Sequence, residues 1–417
     1  MARMGELSRR GFVSATALGM AAGLGLHGRS ARAQAGQQGR LSDGTVKIGV
    51  LTDMNGPYRD FGGPGSVIAT RMAVEEFGGA MFGKPIEVVI ANHQNKPDVG
   101  SAIAREWFSI GQVDMIVDMP NSAVALAVQQ IARDMGRITM NSGASTTDLT
   151  GKFCSPTGVH WTSDAYAGAH STTRALVDRG NKTWFFITVD YTGGYTLEDA
   201  ALPAITAGGG KLVGSVRHPL NAADFSSYLL AAQASGAQAV ALCNGGNDTV
   251  NGIKQAAEFG LTRRGQKLVG MFVNITDIHS IGLPTAQGTI FTTAFYWDYD
   301  DKTRAFSQEF FKRHGAMPTQ YQAGVNSAVR HYLRAIAVCG TDEALPVMAQ
   351  MRAMPVEDFF ARNGRLRQDG SMVHEMYLSQ AKTPAESKAE WDLQNTLQAI
   401  PGEQAFKPLA ETGCSLI

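Results

Sequence analysis

The sequence predicts an α/β protein that consists of two doubly wound parallel-sheet domains. Short apolar runs alternate with stretches of helical periodicity at intervals of about 30 residues, which is typical of β-strand–α-helix units in a parallel sheet. The alternation forms two series. An extended segment at residues 158–162 separates them, and a β-branched run at 289–295 ends the second series. We interpret both interruptions as segments that cross between the domains.

The first strand–helix unit is the clearest one. Residues 46–51 form an aliphatic, β-branched run that predicts a buried strand. A turn rich in Gly, Pro and Asn follows at 55–65. Apolar residues then recur with helical spacing until Gly78-Gly79, which predicts the end of a helix. This order places a glycine-rich loop at the carboxyl end of a parallel strand, where open α/β sheets bind ligands.

The remaining elements follow by the same criteria. In the first series, strands are predicted at residues 86–91, 113–117 and 137–140, and helices at 99–110 and 122–135. In the second series, strands are predicted at 184–189, 211–216, 239–242 and 268–272, and helices at 166–178, 225–234 and 249–259, with a further helix that ends at Gly208. Two strong helices follow at 303–313 and 325–337, and the polar stretch 383–405 predicts no element.

The N-terminus predicts export. Arg9-Arg10 precedes an uncharged apolar stretch at 13–26, and small residues at 31–35 suit a cleavage site, so residues 1–35 are interpreted as a twin-arginine-type signal peptide. The apolar stretch is shorter than the roughly 20 residues that a membrane span requires. A chance arginine pair in an unstructured N-terminus is the alternative. We expect a mature protein in the periplasm.

Composition and motifs restrict the function. Lys plus Arg and Asp plus Glu each number 37, so the chain offers no basic field for nucleic acid or anionic lipid. Phosphate-loop, dinucleotide and nucleophile-elbow motifs are missing from the sequence. The nine histidines do not have metal-binding spacing. We therefore expect no catalysis, no cofactor and no metal, although an enzyme with an unfamiliar site remains an alternative.

Four cysteines permit three complete disulfide pairings, among which spacing does not decide. Cys243 follows the apolar run 239–242 and is expected to be a buried free thiol. Cys154 and Cys414 lie in loop-like contexts, and export permits disulfides. We expect these two to form a bridge, and pairings that involve Cys339 stay open.

The opening unit resembles a known family. Residues 47–51, Gly56-Pro57-Tyr58, Gly62-Gly63 and the helix that ends at 77–79 resemble type I periplasmic solute-binding proteins of the leucine/isoleucine/valine-binding kind, which serve ABC importers. Residues 313–321 resemble a later signature of that family. The resemblance implies a three-crossing hinge near 160, 292 and 373–378. It also implies an N-terminal lobe of residues 41–160 plus 292–372, and a C-terminal lobe of 161–291 plus 373–417.

The resemblance implies a small-molecule ligand, held in the cleft between the lobes, and a membrane permease as partners. We expect a monomer that does not bind nucleic acid. Hinge closure around the ligand produces the form that a permease recognises. A sensor of the same fold that binds an amide or amino acid is an alternative of another class.

Candidate ligand residues follow the predicted strands of the first domain; they are Tyr58, Asn121, Ser122, Gly143, Ala144 and Ser145. Asn121 and Ser122 lie at a helix N-terminus, where free N–H groups and the helix dipole favour a carboxylate. An N-cap role alone is the alternative for these two. The resemblance implies that residues 143–145 hold the ligand carboxylate through backbone groups and a hydroxyl.

The second domain contributes Tyr191, Asn244 and Asn274, and Trp161 lies at the first crossing. The resemblance implies that Tyr191 covers the ligand and that Asn244 belongs to a second contact loop. Surface exposure is the alternative for Tyr191. Trp161 is a candidate for an aromatic wall together with Phe295, Tyr296 and Trp297, and core packing is the alternative for each of them.

Asn274 bears on the choice of ligand. Amino-acid binders of the family place an acidic residue at this point, opposite the ligand ammonium, and Asn274 is neutral. A buried ammonium without a carboxylate is costly. Asp277 could substitute if the loop register differs. We therefore expect a small hydrophobic carboxylate, with aromatic or related organic acids favoured, and a hydrophobic or branched-chain amino acid as the alternative.

Overall fold

The computed structural model describes residues 39–417. The predicted signal peptide, residues 1–35, lies outside the described residues. Within 39–417, none of the helices combines the length and the apolar character that a membrane crossing requires.

The first of two large sheets has six strands in the order β2-β3-β1-β4-β5-β6. They are β1 Val46–Thr52, β2 Ala80–Met81, β3 Lys84–Asn92, β4 Met115–Asp118, β5 Ile138–Asn141 and β6 Gly158–His160. Every pairing is parallel except the short β2–β3 pair. The central strand β1 is almost entirely buried, which explains its continuous aliphatic sequence.

The second sheet has seven strands in the order β15-β14-β11-β10-β9-β7-β8. They are β7 Thr183–Val189, β8 Lys211–His218, β9 Ala239–Cys243, β10 Lys267–Gly270, β11 Ile290–Thr293, β14 Met376–Ala381 and β15 Gln394–Ile400. A small separate sheet pairs β12 Arg365–Leu366 with β13 Met372–Val373. Strand β14 is antiparallel to both of its neighbours, and the other pairings of the large sheet are parallel.

Helices cover these sheets. They are α1 Gly63–Glu76, α2 Pro97–Ser109, α3 Ser122–Asp134, α4 Ser171–Asp178, α5 Thr192–Ala207, α6 Ser226–Ala234, α7 Asn247–Glu258, α8 Ile275–Ile281, α9 Leu283–Ala286, α10 Asp301–His314, α11 Gln320–Cys339, α12 Ala344–Ala353 and α13 Gly402–Ala405. The late helices α10 and α11 pack against α1, beside the first sheet. Helix α11 begins with a capping box between Thr319 and Gln322 and ends at Gly340, whose φ is +74°.

The chain passes between the two sheets three times: between β6 and β7, between β11 and α10, and between β13 and β14. This agrees with the predicted two-domain α/β fold. One detail differs, because the run 289–295, interpreted as a return to the first domain, contains β11, which lies inside the second sheet between β10 and β14. The chain therefore leaves the second sheet only after Thr293. The lobe boundaries at 160, 292 and 372 stay a prediction.

The expected disulfide is confirmed: Cys154 and Cys414 are bonded. Cys243 is a buried free thiol, as predicted, and Cys339 is free and half-buried. The bridge ties the C-terminal segment, which follows β15 of the second sheet, to the segment before β6 of the first sheet. It therefore adds a covalent link between the two parts of the fold, beside the three crossings.

Candidate functional site

A small cavity lies between the two sheets, at the carboxyl ends of their strands. On the first-sheet side its lining residues follow β1, β4 and β5; they are Tyr58, Phe61, Pro120, Gly143 and Ser145. On the second-sheet side they include the end of β7 and the segments after β7, β9 and β10; they are Val189, Tyr191, Gly193, Gly194, Leu197, Asn244, Gly245 and Phe272. Its free volume is about 10 Å³, roughly enough for one water molecule, so a solute can enter only when the two sides separate.

The lining of this cavity is uncharged. None of the described residues that line it is an Asp, Glu, Lys, Arg or His. Its polar groups are the hydroxyls of Ser145, Tyr58 and Tyr191, the amide of Asn244, and backbone groups of glycines. Such a surface offers hydrogen bonds but no counter-charge to a ligand.

Serine hydroxyls form a chain of hydrogen bonds at one side of the cavity. The Thr146 N–H donates to Ser122 Oγ at 3.3 Å, Ser122 Oγ lies 3.2 Å from Ser145 Oγ, and Ser145 donates to the Gly193 carbonyl at 3.2 Å. The last bond joins the first-sheet side to the second-sheet side. A ligand acceptor in place of the Gly193 carbonyl would accept a hydrogen bond from the Ser145 hydroxyl.

Two helices begin beside this serine chain. Helix α3 starts at Ser122, and Asn121 caps it by accepting from the N–H groups of Ala123 and Val124, at 3.0 and 3.2 Å. Helix α5 starts at Thr192, next to Gly193. The first N–H groups of a helix have no acceptor within the helix, and the positive end of the helix dipole lies there. At α3 two of these N–H groups already donate to Asn121, so what favours an anionic group such as a carboxylate at this helix is the helix dipole.

Two tyrosines meet across the cavity. The hydroxyl oxygens of Tyr58 and Tyr191 are 2.6 Å apart and hydrogen-bonded, and they come from opposite sheets. Burial raises the pKa of Tyr191 to about 12 and raises the pKa of Tyr58 above its ordinary value. Both phenols are therefore neutral at physiological pH and act as hydrogen-bonding groups that connect the two sides.

Aromatic rings form the apolar wall of the site. Phe61 packs edge-on against Phe272 with ring centroids 5.4 Å apart, and Phe272 stacks on Tyr321 at 4.9 Å. Phe61 follows β1 and Phe272 follows β10, so the wall also spans both sides. Rings in these offset and edge-to-face arrangements provide a surface that suits another ring or an aliphatic chain.

Five of the ligand residues predicted from the sequence line the cavity; they are Tyr58, Gly143, Ser145, Tyr191 and Asn244. Ser122 does not line the cavity itself, but its hydroxyl contacts that of Ser145. The Asn244 amide is held by His218 at 2.9 Å and by Thr249 at 2.8 Å, so its orientation is fixed. The roles of these residues in ligand binding stay a prediction.

Three further predicted residues, Asn121, Ala144 and Trp161, do not line the cavity. Asn121 caps α3, which was the alternative to a ligand-binding role for this residue. Ala144 does not offer its N–H to a ligand, because that group donates to Asn141 Oδ1 at 3.0 Å. Trp161 is fully buried in the core, where its indole N–H donates to Ser327 Oγ at 3.1 Å. This burial favours the core-packing alternative for Trp161, and Phe295, Tyr296 and Trp297 are likewise outside the lining.

Asn274 is buried near the interface of the two sides but does not line the cavity. Its Oδ1 is 3.5 Å from Gln320 Nε2, which lies on α11 beside the first sheet. Asp277, the possible substitute for a family acid, accepts a hydrogen bond from the Asn274 N–H at 2.8 Å. Burial raises the pKa of Asp277 to about 7. This carboxyl caps α8 and does not face the cavity as a free anion.

Backbone atoms of the two sides also touch. The Asn247 N–H points to the Pro57 carbonyl, with 3.4 Å between N and O. At the neighbouring Gly246, φ is +59°, and a Cβ would lie only 2.2 Å from that same carbonyl oxygen. The structure is therefore closed around the cavity, and the close approach requires glycine at position 246.

Comparison with known proteins identifies the class of this chain. Residues 45–389 match the family model described as periplasmic binding protein. The chain therefore belongs to the periplasmic binding protein family, and its fold is that of a type I periplasmic binding protein of ABC transporters.

Particular relatives refine this placement. A periplasmic binding protein from Burkholderia mallei is 46% identical, with a TM-score of 0.87 over 90% of this chain and 99% of its own. A branched-chain amino acid ABC transporter periplasmic ligand-binding protein from Burkholderia xenovorans is 41% identical, with a TM-score of 0.81 over 89% and 99%. A Leu/Ile/Val-binding protein homolog from Brucella melitensis is 27% identical over 65% of this chain and 70% of its own.

A more distant structure shares the fold alone. It is a solute-binding protein of an ABC transporter from Rhodopseudomonas palustris in complex with 4-hydroxybenzoate. It is 22% identical, with a TM-score of 0.78 over 87% of this chain and 98% of its own.

Proposed function

We propose that this protein is an exported solute receptor of an ABC importer that closes around a small hydrophobic carboxylate, with aromatic or related organic acids favoured. The observation that carries the proposal is the uncharged cavity between the two sheets. On one side it has the Ser145 hydroxyl beside two helix N-termini, which suit a carboxylate. Elsewhere it has the rings of Phe61 and Phe272, which suit an apolar body.

The absence of a charged group from the described lining supports an acid without an ammonium. Moving an ammonium out of water costs several kcal/mol unless a carboxylate or a set of acceptors replaces the water. Asn274 is neutral, and the Asp277 carboxyl is engaged by the backbone of its own helix. A carboxylate is compensated more easily here, because backbone N–H and hydroxyl donors are present.

A hydrophobic or branched-chain amino acid is the second candidate. The names of the Burkholderia xenovorans and Brucella melitensis relatives favour it, and it requires acceptors for the ammonium from tyrosine hydroxyls and backbone carbonyls. A sensor that binds an amide or amino acid without transport is a further alternative. All of these are binding functions without catalysis, as the family implies.

The proposed mode of action is hinge closure. Ligand contacts to both sides favour the closed form, whereas a ligand with equal affinity for the open and closed forms shifts nothing. The tyrosine pair and the Ser145–Gly193 bond are contacts that the closed form makes. We propose that a membrane permease recognises this form in the periplasm and that the receptor acts as a monomer exported by a twin-arginine signal.

Ser145→Ala is expected to weaken carboxylate binding by roughly 1–3 kcal/mol, since it removes a buried hydroxyl donor. Isothermal titration with the bound acid measures this change. Ser171→Ala is a matched control, because Ser171 is as buried as Ser145 and does not line the cavity. Equal affinity in the Ser145 variant and the unsubstituted protein would show that this hydroxyl does not contact the carboxylate.

A thermal-shift screen of the mature protein tests the proposed function. One panel contains hydrophobic amino acids, and the other contains aromatic and aliphatic carboxylates. A ligand at 100 times its dissociation constant adds about 2.7 kcal/mol of stability. We expect stabilisation by the ammonium-free acids. Stabilisation by amino acids alone would support the second candidate instead.

A further inference from the structure

The loop at residues 53–58 carries much of the contact between the two sides of the cavity. It follows β1 of the first sheet and ends at Tyr58, whose hydroxyl meets that of Tyr191 at 2.6 Å. Its Pro57 carbonyl approaches the N–H of Asn247 on the second-sheet side. The position of this loop therefore decides whether two of the closing contacts form.

Asp53 is the residue around which this loop is built. Its side chain is fully buried and does not line the cavity. The carboxylate accepts hydrogen bonds from the N–H groups of Gly56 and Tyr58, at 2.7 and 2.9 Å, and from the Asn95 amide at 2.6 Å. A longer bond of 3.3 Å comes from the N–H of Asn55. Both oxygens are used, and donors to an ionised carboxylate form strong hydrogen bonds.

Neighbouring atoms also pack closely around the Asp53 carboxylate. A Cβ at Gly56 would lie 2.6 Å from Asp53 Oδ2 and 2.8 Å from Asn95 Nδ2. The loop can wrap the carboxylate only because position 56 has no side chain. Asn95, which follows β3, fixes the far side of Asp53 to the neighbouring strand of the sheet.

We propose that Asp53 is a positioning residue for solute retention: by accepting hydrogen bonds from the N–H groups of Asn55, Gly56 and Tyr58, it holds Pro57 and Tyr58 where they contact the second-sheet side. It acts through these two residues and does not touch the solute. The retention role rests on the proposed function, whereas the positioning of the loop does not.

Asp53→Asn is the sharpest change, since it keeps the shape of the side chain. One carboxylate oxygen becomes an NH₂ group, which cannot accept hydrogen bonds and meets donors instead. Asp358→Asn is the matched control. The Asp358 carboxylate likewise accepts two backbone N–H bonds, from Phe360 and Ala361 at 2.8 and 2.9 Å, but its loop lies away from the cavity.

Hydrogen exchange of the mature protein, resolved to single residues and measured with and without the acid that stabilises it most, tests the proposal. In Asp53→Asn we expect about tenfold faster exchange at Gly56 and Tyr58. In the solute-bound protein we also expect faster exchange at Asn247, which lies on the opposite side of the cavity. Asp358→Asn should leave all three amides unchanged.

The amide of Asn247 separates positioning from a local structural role. If the Gly56 and Tyr58 amides exchange faster while that of Asn247 does not, Asp53 orders only its own loop and the proposal is wrong. Unchanged exchange at all three residues of the solute-bound protein also overturns it, as does an Asn247 amide that is unprotected in the solute-bound, unsubstituted protein. The Gly56 and Tyr58 amides are also compared without solute, so a failure of this proposal can be distinguished from a failure of the solute panel.

Discussion

Gly246→Ala is expected to weaken solute binding by about 30- to 150-fold while the protein remains folded. A Cβ at this position would lie 2.2 Å from the Pro57 carbonyl oxygen, which belongs to the opposite side of the cavity. Overpacking of this kind costs roughly 2–3 kcal/mol, and each 1.4 kcal/mol is about a factor of ten in affinity. The clash disappears when the two sides separate, so the open form tolerates the methyl group. Titration with the acid that stabilises the unsubstituted protein most gives the change in affinity.

Gly236→Ala provides the control for backbone strain. Gly236 has nearly the same φ, +64°, but a Cβ there would meet nothing within 4 Å. Both variants place an alanine at positive φ, which costs folding stability; at Gly246, where ψ is −133°, the cost exceeds the roughly 1–2 kcal/mol of the left-handed helical region. Only Gly246→Ala should lose affinity. Equal affinities in the two variants would mean that the solute-bound form does not bring Gly246 against Pro57.

Loss of the Cys154–Cys414 bond is expected to lower the free energy of unfolding by about 2–5 kcal/mol. The bond joins residues separated by 260 positions, and cross-links that close long loops restrict the unfolded chain most. Chemical denaturation of Cys414→Ser, compared with the unsubstituted protein, measures the loss.

Cys339→Ser serves as the comparison for this variant. The Cys339 thiol is free and half-buried, and its sulfur lies near the carbonyls of Ile336 and Thr341, which a serine hydroxyl can also reach. Its effect should be much smaller. A Cys414→Ser variant as stable as Cys339→Ser would contradict the assigned contribution of the bridge.

The main strands could be predicted because burial on both faces demands uninterrupted aliphatic sequence. The predicted strands 46–51 and 239–242 end one residue before those of the structure, at Thr52 and Cys243. Strand β15 was missed for the opposite reason. It lies at the edge of the second sheet, and most of its residues are exposed, so its sequence is polar and lacks a buried pattern.

The expectation that ligand residues follow the buried strands located much of the cavity lining but not its aromatic wall. Tyr58 and Tyr191 were found because each follows a buried strand. Phe61 and Phe272 follow strands as well, but their meeting depends on how the two sheets face each other, which local sequence does not contain. The Ala144 N–H donates to the Asn141 side chain, a contact that sequence spacing does not indicate, and a role of Ala144 in ligand binding stays a prediction.

Calorimetric titration with matched pairs of solutes tests the central claim most directly. Leucine is compared with 4-methylpentanoate, and phenylalanine with 3-phenylpropanoate, so that each pair differs only by the ammonium group. An uncharged cavity predicts that at least one ammonium-free acid binds more tightly than its amino acid, by about tenfold or more. Tighter binding of leucine or phenylalanine than of the matched acid would contradict the account and would make the protein an amino-acid receptor.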